Sequence, residues 1–148
     1  MKINGELHYF WRAIDDEGEV LECYVSKRRN KDEALRFLKK TMRKHGAPKQ
    51  IVTDKLRSYG AALKAIQCSN LQETGVYLNN SCENSHLPFR RKERSMQKFK
   101  SGVTLQIFTS IHSQIYNHFN DQRHLQKRDI FKEQRSNSLS EWRGLCAE

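Results

Sequence analysis

At 148 residues the chain is long enough for a single domain with its own hydrophobic core. Its 27 Lys+Arg against 17 Asp+Glu leave a formal net charge of +10, a balance that suits a polyanion, of which nucleic acid is the commonest. No apolar run approaches the roughly 20 residues of a membrane helix, and Cys23, Cys68, Cys82 and Cys146 lack the CxxC spacing of a structural zinc site.

A merely basic soluble protein is the plainer reading, and charge together with its clustering favours nucleic acid over it. No signal-like segment opens the sequence, so the thiols are expected to be reduced and the protein cytoplasmic.

In chain order, MKINGEL carries no arm or cap signal, and the apolar run begins at Leu7. Leu7 to Ile14 is rich in aromatic and β-favouring residues and predicts a strand. Asp15-Asp16-Glu17-Gly18 predicts a turn, because carboxylates bond nearby amides and Gly18 permits positive φ. Glu19 to Val25 alternates as the returning strand of an antiparallel hairpin. Asn30 then predicts the cap of a helix over Lys31 to His45, with Ala34, Leu35, Leu38 and Met42 as its apolar stripe. Gly46 and Pro48 end it.

Gln50 to Thr53 predicts a short buried strand leading straight into Asp54. Ser58 to Ile66 predicts a second helix, Leu71 to Thr74 a short extended piece, and Glu83 to Lys100 a polar, basic helix with Pro88 as a point of interruption. Leu105, Phe108, Ile111, His112, Ile115 and Phe119 recur at helical spacing and predict a helix over Val103 to Phe119 with that set as its buried face. Asn120 to Lys127 is a connection. A last helix covers Asp129 to Leu145, anchored by Ile130, Phe131, Leu139 and Trp142. A hairpin, a helix and a new strand imply an α/β fold with a mixed sheet flanked by helices, and no linker divides residues 1–148.

Two carboxylates stand out. Asp54 at the carboxyl end of an interior strand sits where α/β sheets place ligands, and Lys55 and Arg57 favour its ionised form. The alternative is an acid that caps the next helix or pairs with Lys55. Glu83 lies in the polar run NNSCENSH; alone it reads equally as a surface acid favoured by a helix dipole. Beyond it His86, Arg90, Arg91, Lys92, Arg94, Lys98 and Lys100 form a basic run with Phe89 and Phe99 interleaved. Such cations neutralise phosphates and give salt-dependent, sequence-tolerant affinity, and a solvated helix face is the competing reading. His112, His118 and His124 recur every six residues, which does not share one helix face, so His112 is expected to pack in the core.

At these residues the chain resembles a known family. HYFWRAIDDEGEVLECYVSKRRNKDEALRFLKK, IVTDKLRSYGAALK, ETGVYLNNSCENSHLPFRRKERSMQKFKS and YNHFNDQRHL are similar to the catalytic domain of DDE-type insertion-sequence transposases of the insertion-sequence-six family. The resemblance implies a ribonuclease-H-like fold with a mixed five-stranded sheet in the complete domain. It implies that Asp54 is the second catalytic aspartate and Glu83 the catalytic glutamate, both ligands of Mg²⁺ or Mn²⁺. Ser81 and Cys82 depart from the family motif around Glu83 without removing its carboxylate.

The resemblance implies metal-dependent cleavage and transfer of DNA strands, transposon ends and target DNA as partners, and homo-oligomers in the intact family. Lys55, Arg57, Arg90, Arg91 and Arg94 are the candidates for phosphate contact. The family's first catalytic aspartate lies just before a segment like Lys2 to Glu6. The expectation is therefore an N-terminally truncated or downstream-started chain, with its first strand largely missing and no separate helix-turn-helix. Two roles remain open: a catalytic core inactive by itself, or a non-catalytic DNA-binding remnant of a transposase.

Overall fold

The computed structural model describes residues 1–54, 56–75, 80–96, 99–120 and 126–147, with the side chains of Ser81 and Glu83 outside that description. Among the described residues the fold is mixed α/β, with five α-helices and three two-stranded sheets.

Strands β1 (Lys2–Ile3) and β2 (Glu6–Leu7) form a small hairpin that the sequence reading does not anticipate. Its signal is the Asn4-Gly5 pair, both at positive φ (50° and 83°), the pattern of a tight two-residue hairpin turn. Leu7 therefore closes this hairpin, and the long strand begins later. Strands β3 (Tyr9–Ile14) and β4 (Val20–Ser26) pair antiparallel as expected. Asp15 Oδ1 accepts from the Glu19 amide at 2.8 Å and Gly18 sits at φ 82°, so the acids of this loop serve the turn.

Side chains on β3 alternate between two layers. Trp11 faces helices α1 (Lys31–His45) and α2 (Arg57–Ala65), where it joins Ala34, Phe37, Leu38, Ala62 and Leu63 in one core cluster. Asn30 caps α1 by accepting from the Glu33 amide at 3.0 Å, and Gly46 ends it. Phe37, absent from the expected stripe, is the buried aromatic of α1. Strand β5 (Ile51–Val52) pairs parallel with β6 (Gln72–Glu73), and α2 provides the crossover that a parallel pair needs. The expected burial of β5 is corrected: Val52 is exposed and Ile51 only half-buried, since a two-stranded pair covers little of itself.

Phe10 and Arg12 face the opposite layer, made by α3 (Asn80–Ser95) and α4 (Gly102–His118). Phe10 stacks on Phe89 with ring centroids 4.9 Å apart, and Phe89 is fully buried with Ile3, Phe99 and Leu105 around it. Helix α3 continues through Pro88; the missing bond would fall to the carbonyl of exposed Asn84, which water can satisfy.

The orientation of α4 differs from the expected one. Leu105, Thr109 and Ser113 are its buried residues, whereas Ile111 and Ile115 are exposed. The cause is the outer edge of β4. Gln106 accepts from the Val25 amide at 2.8 Å and donates to the Cys23 carbonyl at 3.0 Å. Asn117 does the same for Val20, at 2.8 and 3.0 Å. These two amides satisfy backbone groups that would otherwise form an open sheet edge. Helix α5 (Arg128–Leu145) meets the end of α4 through Trp142, which packs on His118 and Phe119. Phe131 and Trp142 are half-buried as anchors, but Ile130 and Leu139, also expected to anchor it, are exposed.

Candidate metal and nucleic-acid site

Asp54 is held where β5 turns into α2. Thr53 donates its amide to the Glu73 carbonyl at 3.0 Å, and Gln72 donates to the Thr53 hydroxyl at 2.8 Å, which ties the end of β5 to β6. The Asp54 carboxylate then closes a local turn, Oδ1 accepting from the Leu56 amide at 3.2 Å. Its other oxygen meets Arg29 at 3.1 Å, in a pair whose side chains are 46% and 40% exposed. An ion pair that exposed is weak, so a cation or a phosphate can compete for either partner. Arg29 is missed by the sequence reading, although the Lys27-Arg28-Arg29 run before Asn30 is its signal.

The first turn of α3, whose backbone includes Glu83, lies against β3. Cys82 Sγ approaches the Arg12 carbonyl of β3 at 3.7 Å. Tyr59 of α2 joins the two parts: its ring meets Trp11 edge-on with centroids 5.4 Å apart. Burial pushes the Tyr59 phenol above its ordinary range, and both Asp54 and Cys82 push it further, against Arg29. Asp54 and Cys82, in the α3 turn whose backbone includes Glu83, thus both act electrostatically on one half-buried phenol. The side chain of Glu83 and the whole of Lys55 lie outside the described residues.

The basic run divides in two. Arg91 and Arg94 are exposed on α3, as is Arg57 at the start of α2; Arg90 is exposed too and pairs with Glu93 at 3.0 Å. Lys92 and Lys100 are exposed as well, and Lys98 lies outside the described residues; His86 and the interleaved Phe89 and Phe99 are corrected. His86 meets Phe10 edge-on at 5.4 Å between centroids, and burial, aided by Arg12 and Arg90, pushes its pKa down to about 4. It is neutral at physiological pH and adds no charge. Phe89 and Phe99 belong to the core, so they offer no stacking surface for bases. His112 packs against Phe89 and Phe108 as expected, with centroids 5.7 Å from each.

Arg12 is a second feature the sequence reading passes over. The residue is buried, and among the described residues none of its three guanidinium nitrogens has a hydrogen-bond partner. Its guanidinium lies 5.5 Å from the centre of the Tyr116 ring, and burial lowers its pKa from the ordinary value. In the strand pattern it reads only as one charge among apolar residues.

For a hard divalent cation, Asp54 fits as one oxygen donor, because it is accessible and ionisable at the mouth of a strand. Among the described residues, no three His, Cys, Asp or Glu side chains converge on a common point. Nor, among them, is any helix long and apolar enough to cross a membrane.

Comparison with known proteins gives the family. Residues 1–122 match the model of a DDE domain family of the IS240 type. The chain is 31% identical over 106 residues to the transposase for insertion sequence-like element IS431mec of Staphylococcus aureus, covering 68% of this chain and 47% of that protein. The transposase for insertion sequence element IS257 in transposon Tn4003, also from S. aureus, matches with the same figures. An uncharacterized protein of Yersinia pseudotuberculosis is 38% identical over 66 residues, 43% of this chain and 62% of that one. No solved structure matches. The chain spans about half the length of the curated transposases it matches. With its family model matched from residue 1 to residue 122, this chain belongs to the DDE domain family of insertion-sequence transposases.

Proposed function

We propose that residues 1–148 form one ribonuclease-H-like unit that works on DNA in transposition, with Asp54 and Glu83 contributing ligands to Mg²⁺ or Mn²⁺. The observation that carries this reading is the position of Asp54: accessible, at the end of β5, and held by an exposed ion pair with Arg29 that a cation can displace. Bound there, a divalent cation would supply Lewis-acid assistance to transfer at a phosphodiester. The chain's own part is to hold one carboxylate at a strand end and a second on the facing helix. Arg57, Arg90, Arg91 and Arg94, with Lys55, would contact phosphates of transposon ends and target DNA, and Arg29 would exchange its partner between Asp54 and a phosphate.

The proposed ligand set holds two carboxylates, one fewer than the three the family resemblance implies. We therefore expect these 148 residues by themselves to bind DNA without cleaving or joining it. A second reading, DNA binding with no metal at all, is favoured by the Arg29–Asp54 pair, in which Asp54 acts as a structural acid.

Binding of Mn²⁺ followed by electron paramagnetic resonance separates the two. The metal reading expects Asp54→Asn to weaken Mn²⁺ roughly 10-fold or more, the range for removal of a ligand's support. Unchanged Mn²⁺ binding in Asp54→Asn would leave the metal-free reading. DNA contact is tested by fluorescence anisotropy across a salt series. Arg91→Ala/Arg94→Ala should flatten the slope of log K against log salt by about 2, near one for each phosphate no longer neutralised. An unaltered slope would remove these arginines from the interface.

A further inference from the structure

We propose that the outward face of α4 is where two copies of this chain meet. Val103, Ile107, Ile111 and Ile115 stand at four-residue intervals and are 70%, 56%, 51% and 36% exposed. They form one ridge about 18 Å long on the side of α4 opposite buried Leu105 and Thr109. The helix is amphipathic in the unusual sense: it buries Thr109 and Ser113 and shows its β-branched apolar residues to solvent. Gln106 and Asn117 bind the edge of β4 and so fix this rotation, which means the ridge cannot turn inward without breaking their hydrogen bonds to that strand.

The charge pattern names the occupant. In a chain with 44 charged Lys, Arg, Asp and Glu residues (27 and 17), the 17 residues of α4 include none. A DNA-binding or acid-binding face would carry Lys or Arg along its length; on α4 the ridge is flanked by neutral Thr104 and Gln114, and Lys100 and the Lys27–Glu6 pair come near only its Val103–Ile107 end. Two copies that each bear +10 repel everywhere except where neither presents charge. A four-residue ridge also suits itself: such ridges from two helices interdigitate in the commonest helix-packing class, and a two-fold contact buries the same residues on both sides. An apolar centre with a neutral polar rim is the usual anatomy of such an interface. The inference needs neither the metal nor the DNA reading above.

Sedimentation equilibrium on the full 148-residue chain tests it. The expected result is a mass twice 17.5 kDa, with dimerisation at concentrations up to about 100 µM, within the range of modest interfaces. Association should tighten as salt rises, because screening weakens the repulsion between like-charged copies while the contact itself carries no ion pair. Ile107→Glu/Ile111→Glu should give monomers with an unchanged far-ultraviolet circular dichroism spectrum. Leu145→Glu, an equally drastic change at an exposed apolar residue of α5, should leave the dimer intact. If the double glutamate variant does not fold, Ile111→Ser should still weaken association roughly 10-fold, the scale of one buried aliphatic side chain on each of two copies. A wild-type chain that stays monomeric, as it would if another part of a longer protein or a different partner covers α4, overturns the proposal. So does a dimer indifferent to Ile111→Ser.

Discussion

The two layers that cover the β3–β4 hairpin are built on opposite terms. On the α1–α2 side, Trp11, Phe37, Leu38 and Leu63 close an apolar core, and polar tips at its margin find partners. Trp11 Nε1 donates to the Ser26 hydroxyl at 2.7 Å, and Arg36 joins Glu33 and Tyr24 at the rim. On the α3–α4 side an aromatic cluster around Phe89 sits beside a buried guanidinium without hydrogen bonds among the described residues, two histidines with depressed pKa, and a helix that hides hydroxyls and exposes isoleucines. The first layer closes around its own apolar core, although the buried Ser58 hydroxyl of α2 has no partner among the described residues. The second meets a different requirement, since it must cover the open edge of β4.

The largest test of this contrast is Trp11→Ala. It removes the residue that joins the hairpin to both α1 and α2, and should lower unfolding stability by about 3–5 kcal/mol in urea denaturation. A loss below about 1 kcal/mol would mean that the closed layer is not where the stability resides.

Next comes pH. The folded-state pKa of His86 is depressed to about 4, below its ordinary 6.5, so the unfolded chain takes up the proton first. Stability should be complete above about pH 6.5 and fall as pH drops toward 4, because protonation favours the unfolded state. His86 keeps some exposure to solvent, which reduces the effect to roughly 2 kcal/mol. His86→Leu should lose that part of the acid sensitivity, read as denaturant midpoints across the pH range; an identical pH profile would place the sensitivity elsewhere.

A smaller effect of opposite sign is expected at Arg12. Replacing a buried, unpaired cation by an apolar side chain of similar length relieves its desolvation, offset in part by removal of the cation from the Tyr116 ring. Arg12→Met should therefore stabilise by about 1–2 kcal/mol. Destabilisation by a similar amount would show that Arg12 has a partner in solution and that the second layer is closed after all.

Much of the molecule is legible from local chemistry. The Asn30 cap, the Asp32 and Glu33 first turn and the Gly46 stop define α1 in the sequence and in space. Asp15 to Gly18 is legible as a turn for the same reason: its hydrogen bonds are made within four residues. Asn4-Gly5 is an equally local signal, yet the expected strands do not include the hairpin it turns. Asp54 is legible by position, whereas its partner Arg29 lies 25 residues away and only the packing of α1 against α2 brings it near. The basic run illustrates the limit. Charge and spacing treat His86, Phe89 and Arg91 alike, yet the helix buries Phe89, half-buries His86 and exposes Arg91.

The amino-acid sequence alone determined most element types, the ends of α1, the family motifs and the net positive charge, because each rests on neighbours within a few residues or on a simple count; it missed the β1–β2 hairpin and placed α3 over Glu83 to Lys100 where the helix spans Asn80–Ser95. Which way α4 faces was decided only by tertiary structure. Periodicity showed one apolar stripe and made it the core face, but periodicity measures transfer from water and does not see a neighbouring strand. The open edge of β4 presents backbone groups that must be satisfied, and Gln106 and Asn117 reach them only when the isoleucines point outward. The four exposed side chains, and the second copy inferred to cover them, follow from that single rotation.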